Sequence, residues 1–417
     1  MPLLARHPVC TGAPVGHTDV MKADVVVIGA GALGLSTALH CAIAGRMVVV
    51  VERDTAGSHA SGRAAGLFKS VQADQLRTGL ARRSIAKALT FGDWAGVPLD
   101  TTKSGSYLIA RTAAHQELLR TEQRQSRGWG VDIREASANE VTANVSYYEA
   151  SGSEFALWCP EDVYIAEPAD LVRAYVEACR LHGAELLEHE EVTAVTLAGG
   201  QVAGVQTAQR SITTTVVVDA AGAWTRQVAR LAGGTVAVAP VRHQLFITDP
   251  ATSPQISPAD PIVRVVDAAV YLRPARGGLM LGGFERGPLS FDVWEPPADI
   301  PIDLAVLRRL ADLVGREVPT GRAAVVEHRG GMFTMSPDGR FVLGPVPDVP
   351  GLWVASGCNG SGFSSSPALG EALASWITGT SAHLPALAPA RFGMLTDEAL
   401  VKHGVWQYEH YYDPTAG

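Results

Sequence analysis

The sequence predicts an α/β fold, and three segments carry that prediction. The first is "VVVIGAGALGLSTALHCAIAGRMVVVVER", from Val25 to Arg53. It holds a β-branched run, a glycine loop, a stretch with helical spacing, and a second β-branched run ending on an acid. The second is "ITTTVVVDAAGAW", residues 212–224, a strand that runs into Ala221-Gly222. The third lies within residues 339–379, where the strand "LWVASG" meets a Gly/Ser turn and then a helix.

Length and composition set the frame. A chain of 417 residues exceeds one simple core and reads as two structural domains. Hydrophobic residues at 47% and charged residues at 18% fit a globular chain. A net charge of -8, with no basic block, argues against nucleic acid as a partner. The cysteines at 10, 41, 159, 179 and 358 show no CxxC and no metal spacing, so no metal is expected and a reducing, cytoplasmic setting fits. No apolar run approaches the ~20 residues that span a bilayer. Residues 1–21 are too weakly apolar for a signal peptide and read as a disordered extension, with Met21 an alternative start.

In the opening motif, Gly29, Gly31 and Gly34 fit G-x-G-x-x-G, with Leu33 inside the loop. Gly29 permits the tight turn, Gly31 lets backbone approach a pyrophosphate, and Gly34 lets helix pack on strand. The helix N-terminus offers free N–H groups to phosphate. Gly45 ends that helix. Glu52, 18 residues past Gly34, can accept from ribose hydroxyls, and Arg53 follows it. Strand, loop, helix, strand and acid together outweigh an ordinary strand–turn–helix.

The loop alone does not separate FAD from NAD. After the acid, "GSHASGRAAGLFKS" (residues 57–70) is rich in small residues. Ser58, Ser61, Gly62, Arg63, Ala65, Gly66 and Leu67 read as wrapping a long cofactor, where a nicotinamide enzyme would continue into another helix–strand unit. Ala221, Gly222 and Trp224 form a second close backbone approach, and Val192 joins the same set. A helix N-terminus at Gly360, Ser361, Gly362, Phe363 and Ser364 would offset negative charge on a reduced flavin.

In this order the segments resemble the FAD-dependent amino-acid and amine oxidoreductases: D-amino acid oxidase, glycine oxidase, sarcosine oxidase and dimethylglycine dehydrogenase. The resemblance runs from about Lys22 to Gly379. It implies a discontinuous Rossmann-like FAD-binding domain of the glutathione-reductase type (22–100, 156–238 and 325–380). It also implies an α+β substrate domain with an antiparallel sheet (101–155 and 239–324), leaving 381–417 as a C-terminal strap. The residues agree: a hairpin turns at Gly199-Gly200, and "PVRHQLFITD" and "AAVYLRPARGGLMLGGFE" alternate as strands.

Those last two strands look most like the sarcosine and dimethylglycine branch, which implies His243 and Tyr271 near the flavin. A sheet-bonded histidine and a core aromatic are the plainer alternatives. Strand alternation puts Tyr271 and Arg273 on one face and Arg242 opposite His243. The family's covalent flavin attachments fall on Gly331 and Arg63 here, and Ser364 stands where sarcosine oxidases carry a lysine. Non-covalent FAD follows, with His59 and Cys358 as lesser candidates for a bond. Phe333 stands near the family's substrate-gripping arginine. Lys69 matches an arginine of the sarcosine branch, and Arg273 and Arg329 are alternative cations. Each of these cations also reads as a solvated surface charge.

The resulting expectation is hydride transfer from the carbon beside nitrogen of a small secondary or tertiary amine, or N-methyl amino acid, to flavin N5. The imine formed then hydrolyses. The electron acceptor is oxygen, for which Lys69 could supply the positive group, or a partner protein or quinone. The alternatives are a D-amino acid or glycine oxidase, against which Phe333 counts, and a flavin-binding subunit of a heteromeric amine oxidase without independent turnover. "VKHGVWQYEHYYDPTAG" lies outside the family core and reads as a surface strap or a contact with another subunit.

Overall fold

A computed structural model of the protein describes residues 19–250 and 256–412. Residues 1–18, most of the expected extension, lie outside it, as do Cys10 and the last five residues.

Valine-rich runs make short strands that are buried on both faces, as parallel sheets require. Val25–Ile28, Val48–Val51, Glu185–Leu187, Val217–Asp219 and Leu352–Ser356 form five parallel strands of a six-stranded sheet, with Val342–Pro345 antiparallel at one edge. The helix Ala32–Ile43 joins the first two strands, and Gly45 follows it at φ +77°. One face is covered by that helix together with Pro168–Leu181 and Gly362–Ile377. The opposite face packs on a four-stranded sheet in the order Asp19–Lys22, Arg210–Thr213, Gln201–Thr207, Val192–Ala198. Its hairpin turns at Gly199-Gly200, both at positive φ, as expected. Asp19–Lys22 pairs in parallel with Arg210–Thr213, so the sheet reaches two residues before Met21 into the expected extension.

The second body is an eight-stranded sheet. Its order is Val325–Met335, Ala239–Thr248, Gly278–Gly283, Val270–Ala275, Ile262–Val265, Ser106–Ala110, Phe155–Cys159, Arg134–Ala136, and only the Ile262 and Ser106 strands run parallel. Two expected boundaries therefore move. Val325–Met335 pairs along Ala239–Thr248, and Phe155–Cys159 pairs with Ser106–Ala110, so both strands belong to this sheet. The helix Leu304–Leu313 packs on its outer face.

The stretch from residue 381 is not a mere strap. Thr396 caps a helix, Asp397–Glu409, by accepting from Ala399 N. That helix packs on Ala239–Thr248 and Val325–Met335, burying Tyr408 completely.

Candidate active site

After the adjacent parallel strands Val25–Ile28 and Val217–Asp219 the chain turns to opposite faces of the sheet, into the helices Ala32–Ile43 and Thr225–Leu231, and the cleft at this switch point is where α/β sheets bind ligands. Two glycines shape it. Gly29 sits at φ +105°, and a β-carbon there would lie 2.6 Å from Ala220 O. A β-carbon on Gly34 would lie 2.0 Å from Gly29 O, so only glycine lets the helix start this close to the strand. Gly31 is the helix N-cap and has no side chain to cap it; Ser61 Oγ accepts from Ala32 N at 2.9 Å.

Glu52 ends its strand facing this loop. Its Oε2 accepts from Ala30 N (2.7 Å) and its Oε1 from Asp54 N (2.9 Å), each oxygen keeping a second lone pair. The Arg53 guanidinium lies 3.8 Å above the Trp224 ring, and His59, held by Asp54, packs beside the same indole.

One cavity of about 610 Å³ collects most of the sequence-identified cofactor set. Gly29, Gly31, Leu33, Glu52, Arg53, Ser58, Ser61 and Arg63 line it, as do Ala65, Gly66, Leu67, Val192, Ala221, Gly222 and Trp224. Gly331 and residues 360–364 complete the set. Gly34 and Gly62 do not face it. Gly62 instead lets the loop close on Gly57 O, 2.4 Å from where its β-carbon would be. At the far end, Gly360 (φ +81°) leads into the helix Gly362–Ile377, whose N-cap Ser361 makes no side-chain cap, so first-turn amides face the cavity uncapped. The Ser58 hydroxyl is buried and has no hydrogen-bond partner among the described residues. A glycine cradle, an acid at a strand end, two helix N-termini whose own N-cap residues make no side-chain cap and an orphaned buried hydroxyl fit a dinucleotide.

The antiparallel sheet forms the opposite wall. His243 stands across from Gly331, where no side chain intervenes. Its Nε2 is 2.7 Å from Tyr271 Oη and its Nδ1 is 2.9 Å from Tyr408 Oη. Phe333 stacks on its ring at 4.3 Å and 17°. Burial pushes the His243 pKa down to about 3, so the imidazole is neutral. Burial raises the Tyr271 phenol. Arg242 faces the other way and pairs with Glu285, as alternation requires.

The three candidate cations fare differently. Lys69 lines the cavity but donates to Glu122 Oε1 at 3.1 Å. Burial opposes its charge, yet Glu122 beside it holds its pKa above the ordinary lysine value. Arg273 is not a substrate cation. It is fully buried outside the cavity and donates to the carbonyls of Ala65 (2.7 Å), Ala166 (2.8 Å) and Pro274 (2.6 Å). It braces the loop that carries Ala65 and Gly66. Arg329 lines the cavity edge and pairs with Glu167 and Glu327, leaving its buried Nη1 unpartnered among the described residues.

Sequence reasoning missed the aromatic wall. Phe284 stacks on Tyr411 at 4.1 Å and 11°, and Tyr412 lies near Lys69; all three line the cavity. Tyr408, behind them, reaches His243. The doubled aromatics of "YEHYY" were visible, but nothing local tied them to a strand 165 residues away.

Cradle and wall together define an oxidoreductase-like dinucleotide site between a parallel and an antiparallel sheet. Residues 24–376 match the family described as DAO, FAD dependent oxidoreductase, and the chain belongs to that family. FAD is therefore the cofactor. Human mitochondrial sarcosine dehydrogenase is 27% identical over 376 residues, covering 85% of this chain and 39% of the relative. A formaldehyde-forming 4-methylaminobutanoate oxidase from Paenarthrobacter nicotinovorans is 28% identical over 364 residues, covering 84% of this chain and 43% of the relative. The chain thus spans about two fifths of the length of these relatives. In fold it resembles an L-proline dehydrogenase from P. horikoshii, with a TM-score of 0.80 at 24% identity, covering 89% of this chain and 98% of that one. Among the described residues no helix is long and apolar enough to cross a membrane.

Proposed function

We propose that this protein oxidises the C–N bond of a small secondary or tertiary amine, with N-methyl amino acids as the leading class. The observation that carries the reading is the placement of His243, Tyr271 and Phe333 on one wall, facing the glycine cradle and the start of the Gly362–Ile377 helix. The names of the two relatives, one acting on sarcosine and one releasing formaldehyde, support the substrate class.

When bound, FAD would supply the hydride acceptor. Gly29, Gly31, Ser58 and Glu52 would hold its diphosphate and ribose, and the amides at Gly362–Ser364 would stabilise negative charge at the ring end of the site. The aromatic wall excludes water and disfavours an ammonium, so the amine reacts in its neutral form. Phe333 and Tyr271 orient it. Oxidation of an N-methyl group leaves an imine, which water converts to formaldehyde and the shortened amine.

Non-covalent attachment is part of this reading. Gly331 has no side chain to offer, His59 is held by Asp54, and burial raises the Cys358 thiol. The free cysteines Cys41, Cys159, Cys179 and Cys358 fit a cytoplasmic setting. The test is anaerobic titration of the purified flavoprotein with sarcosine, dimethylglycine, other N-methyl amines, glycine and D-amino acids. Bleaching by an N-methyl compound supports the reading, and admitting air then separates oxidase from dehydrogenase. Bleaching by glycine or a D-amino acid alone moves the protein to that class, and bleaching by none overturns amine oxidation.

A further inference from the structure

The helix Asp397–Glu409 lies beyond the residues that define the family, yet it delivers a phenol to His243. A neutral imidazole carries one hydrogen, so one ring nitrogen donates and the other accepts. Tyr408 is completely buried, and its hydroxyl lies 2.9 Å from His243 Nδ1 and beside the backbone N–H of Glu285, which can only donate, so among the described residues Nδ1 is the acceptor within its reach. A buried hydroxyl that does not donate leaves its hydrogen unsatisfied and incurs the full desolvation penalty. Tyr408 therefore donates to Nδ1, which leaves the hydrogen on Nε2. Nε2 then donates to Tyr271 Oη at 2.7 Å. Tyr271 differs from Tyr408 in that it lines the cavity, and with its oxygen already accepting, its own O–H is free to point inward.

We propose that Tyr408 is a positioning residue that fixes His243 as the Nε2–H tautomer, so that Tyr271 presents its hydroxyl to the substrate as a hydrogen-bond donor. The hydrogens run one way along the chain, Tyr408 to His243 to Tyr271 to substrate. The ligand class this polarity selects has an acceptor at that point: the lone pair of a neutral amine nitrogen, or a carboxylate oxygen. A protonated amine has no lone pair and meets a donor there, which adds to the exclusion of the ammonium form. Stacking of Phe333 on the imidazole keeps the ring in the plane both hydrogen bonds need.

The inference rests on the cavity being the substrate side of the flavin site, but its test does not depend on turnover. Histidine would be labelled with ¹⁵N in the FAD-loaded protein, and the His243 ring nitrogens read by long-range ¹H–¹⁵N correlation, assigned with His243→Asn. The expected spectrum has Nδ1 unprotonated and Nε2 protonated, unchanged from pH 6 to 9. In Tyr408→Phe the Nε2–H population falls, and anaerobic flavin reduction by an accepted amine slows about tenfold, with a smaller change in KM. An Nδ1–H tautomer or a charged ring in the wild type overturns the proposal, as does a Tyr408→Phe protein whose His243 signals match the wild type. If Tyr408→Phe does not fold, the wild-type spectrum decides alone. If no amine reduces the flavin, amine oxidation falls while the tautomer result stands.

Discussion

Gly282 and Tyr271 sit directly across from each other on neighbouring strands, and a β-carbon on Gly282 would lie 2.3 Å from the Tyr271 hydroxyl oxygen. The phenol lies flat over the glycine, and this is what lets it reach His243. Gly282→Ala should push Tyr271 off its hydrogen bond while leaving the cradle alone. Overpacking of this kind costs typically about 1–3 kcal/mol. The expected protein binds FAD normally, by its visible spectrum, but reduces it at least tenfold more slowly in stopped flow.

The opposite pattern is expected at the cradle. Gly34→Val places side-chain atoms against Gly29 O, so the helix must move away from the strand. The variant should purify colourless, and added FAD should no longer raise its melting temperature, as it does for any protein that binds ligand only when folded. A yellow Gly34→Val protein would mean that the cofactor sits elsewhere.

Lys69 offers a sharper question about substrate. Among the described residues its ammonium makes one ion pair, with Glu122, and Lys69 lines the cavity. If the ammonium holds a substrate carboxylate, Lys69→Met should raise KM for sarcosine about tenfold or more and leave a carboxylate-free N-methyl amine unaffected. Equal effects on both substrates would assign Lys69 to the wall and not to recognition.

Arg273 should behave as a structural residue. Arg273→Met keeps most of the volume but leaves three buried carbonyls without their donor, at about 1–3 kcal/mol for each that finds no substitute. Denaturant unfolding should report the loss. A variant of wild-type stability with impaired substrate binding would return Arg273 to the site.

Acid sensitivity follows from His243. Its folded pKa of about 3 lies below the ordinary 6.5, so between those values the unfolded chain binds a proton that the folded chain refuses. Stability therefore rises with pH across that window and is lost on acidification. His40, lowered to about 4 by burial and by Lys87, acts in the same direction. His243→Asn should flatten the dependence of the urea midpoint between pH 4 and 6.5 in part, with the remainder owed to His40 and the paired carboxylates.

What the sequence made legible was local. The Val25–Arg53 unit needs only neighbours in sequence: a β-branched run, three spaced glycines, a helical period and an acid. The loop at 57–67 and the turn at 360–364 were legible because small residues there have few other uses. Arg273 was misread because strand alternation put it on the correct face but could not tell a cavity from a cluster of backbone carbonyls on that face. Lys69 was placed on the cavity, but its partner Glu122 comes from a helix 53 residues away. The aromatic wall was hidden for the same reason, since Tyr408 and Tyr411 meet His243 and Phe284 only after the last helix docks.

The order of the six-stranded sheet also bears on how the chain acquires its shape. Its central neighbours, Val25–Ile28 and Val217–Asp219, are about 190 residues apart, and the next strand, Leu352–Ser356, is some 130 further on. Contacts of such high order close slowly, because each long loop loses entropy before any pairing rewards it. A nascent chain that has exposed only its first half holds Val25–Ile28, Val48–Val51 and Glu185–Leu187, with the other edge of Val25–Ile28 still unpaired. Completion of the sheet thus waits for residues beyond 350, and until then a valine-rich strand stands as an unpaired edge of the kind that aggregates or occupies chaperones.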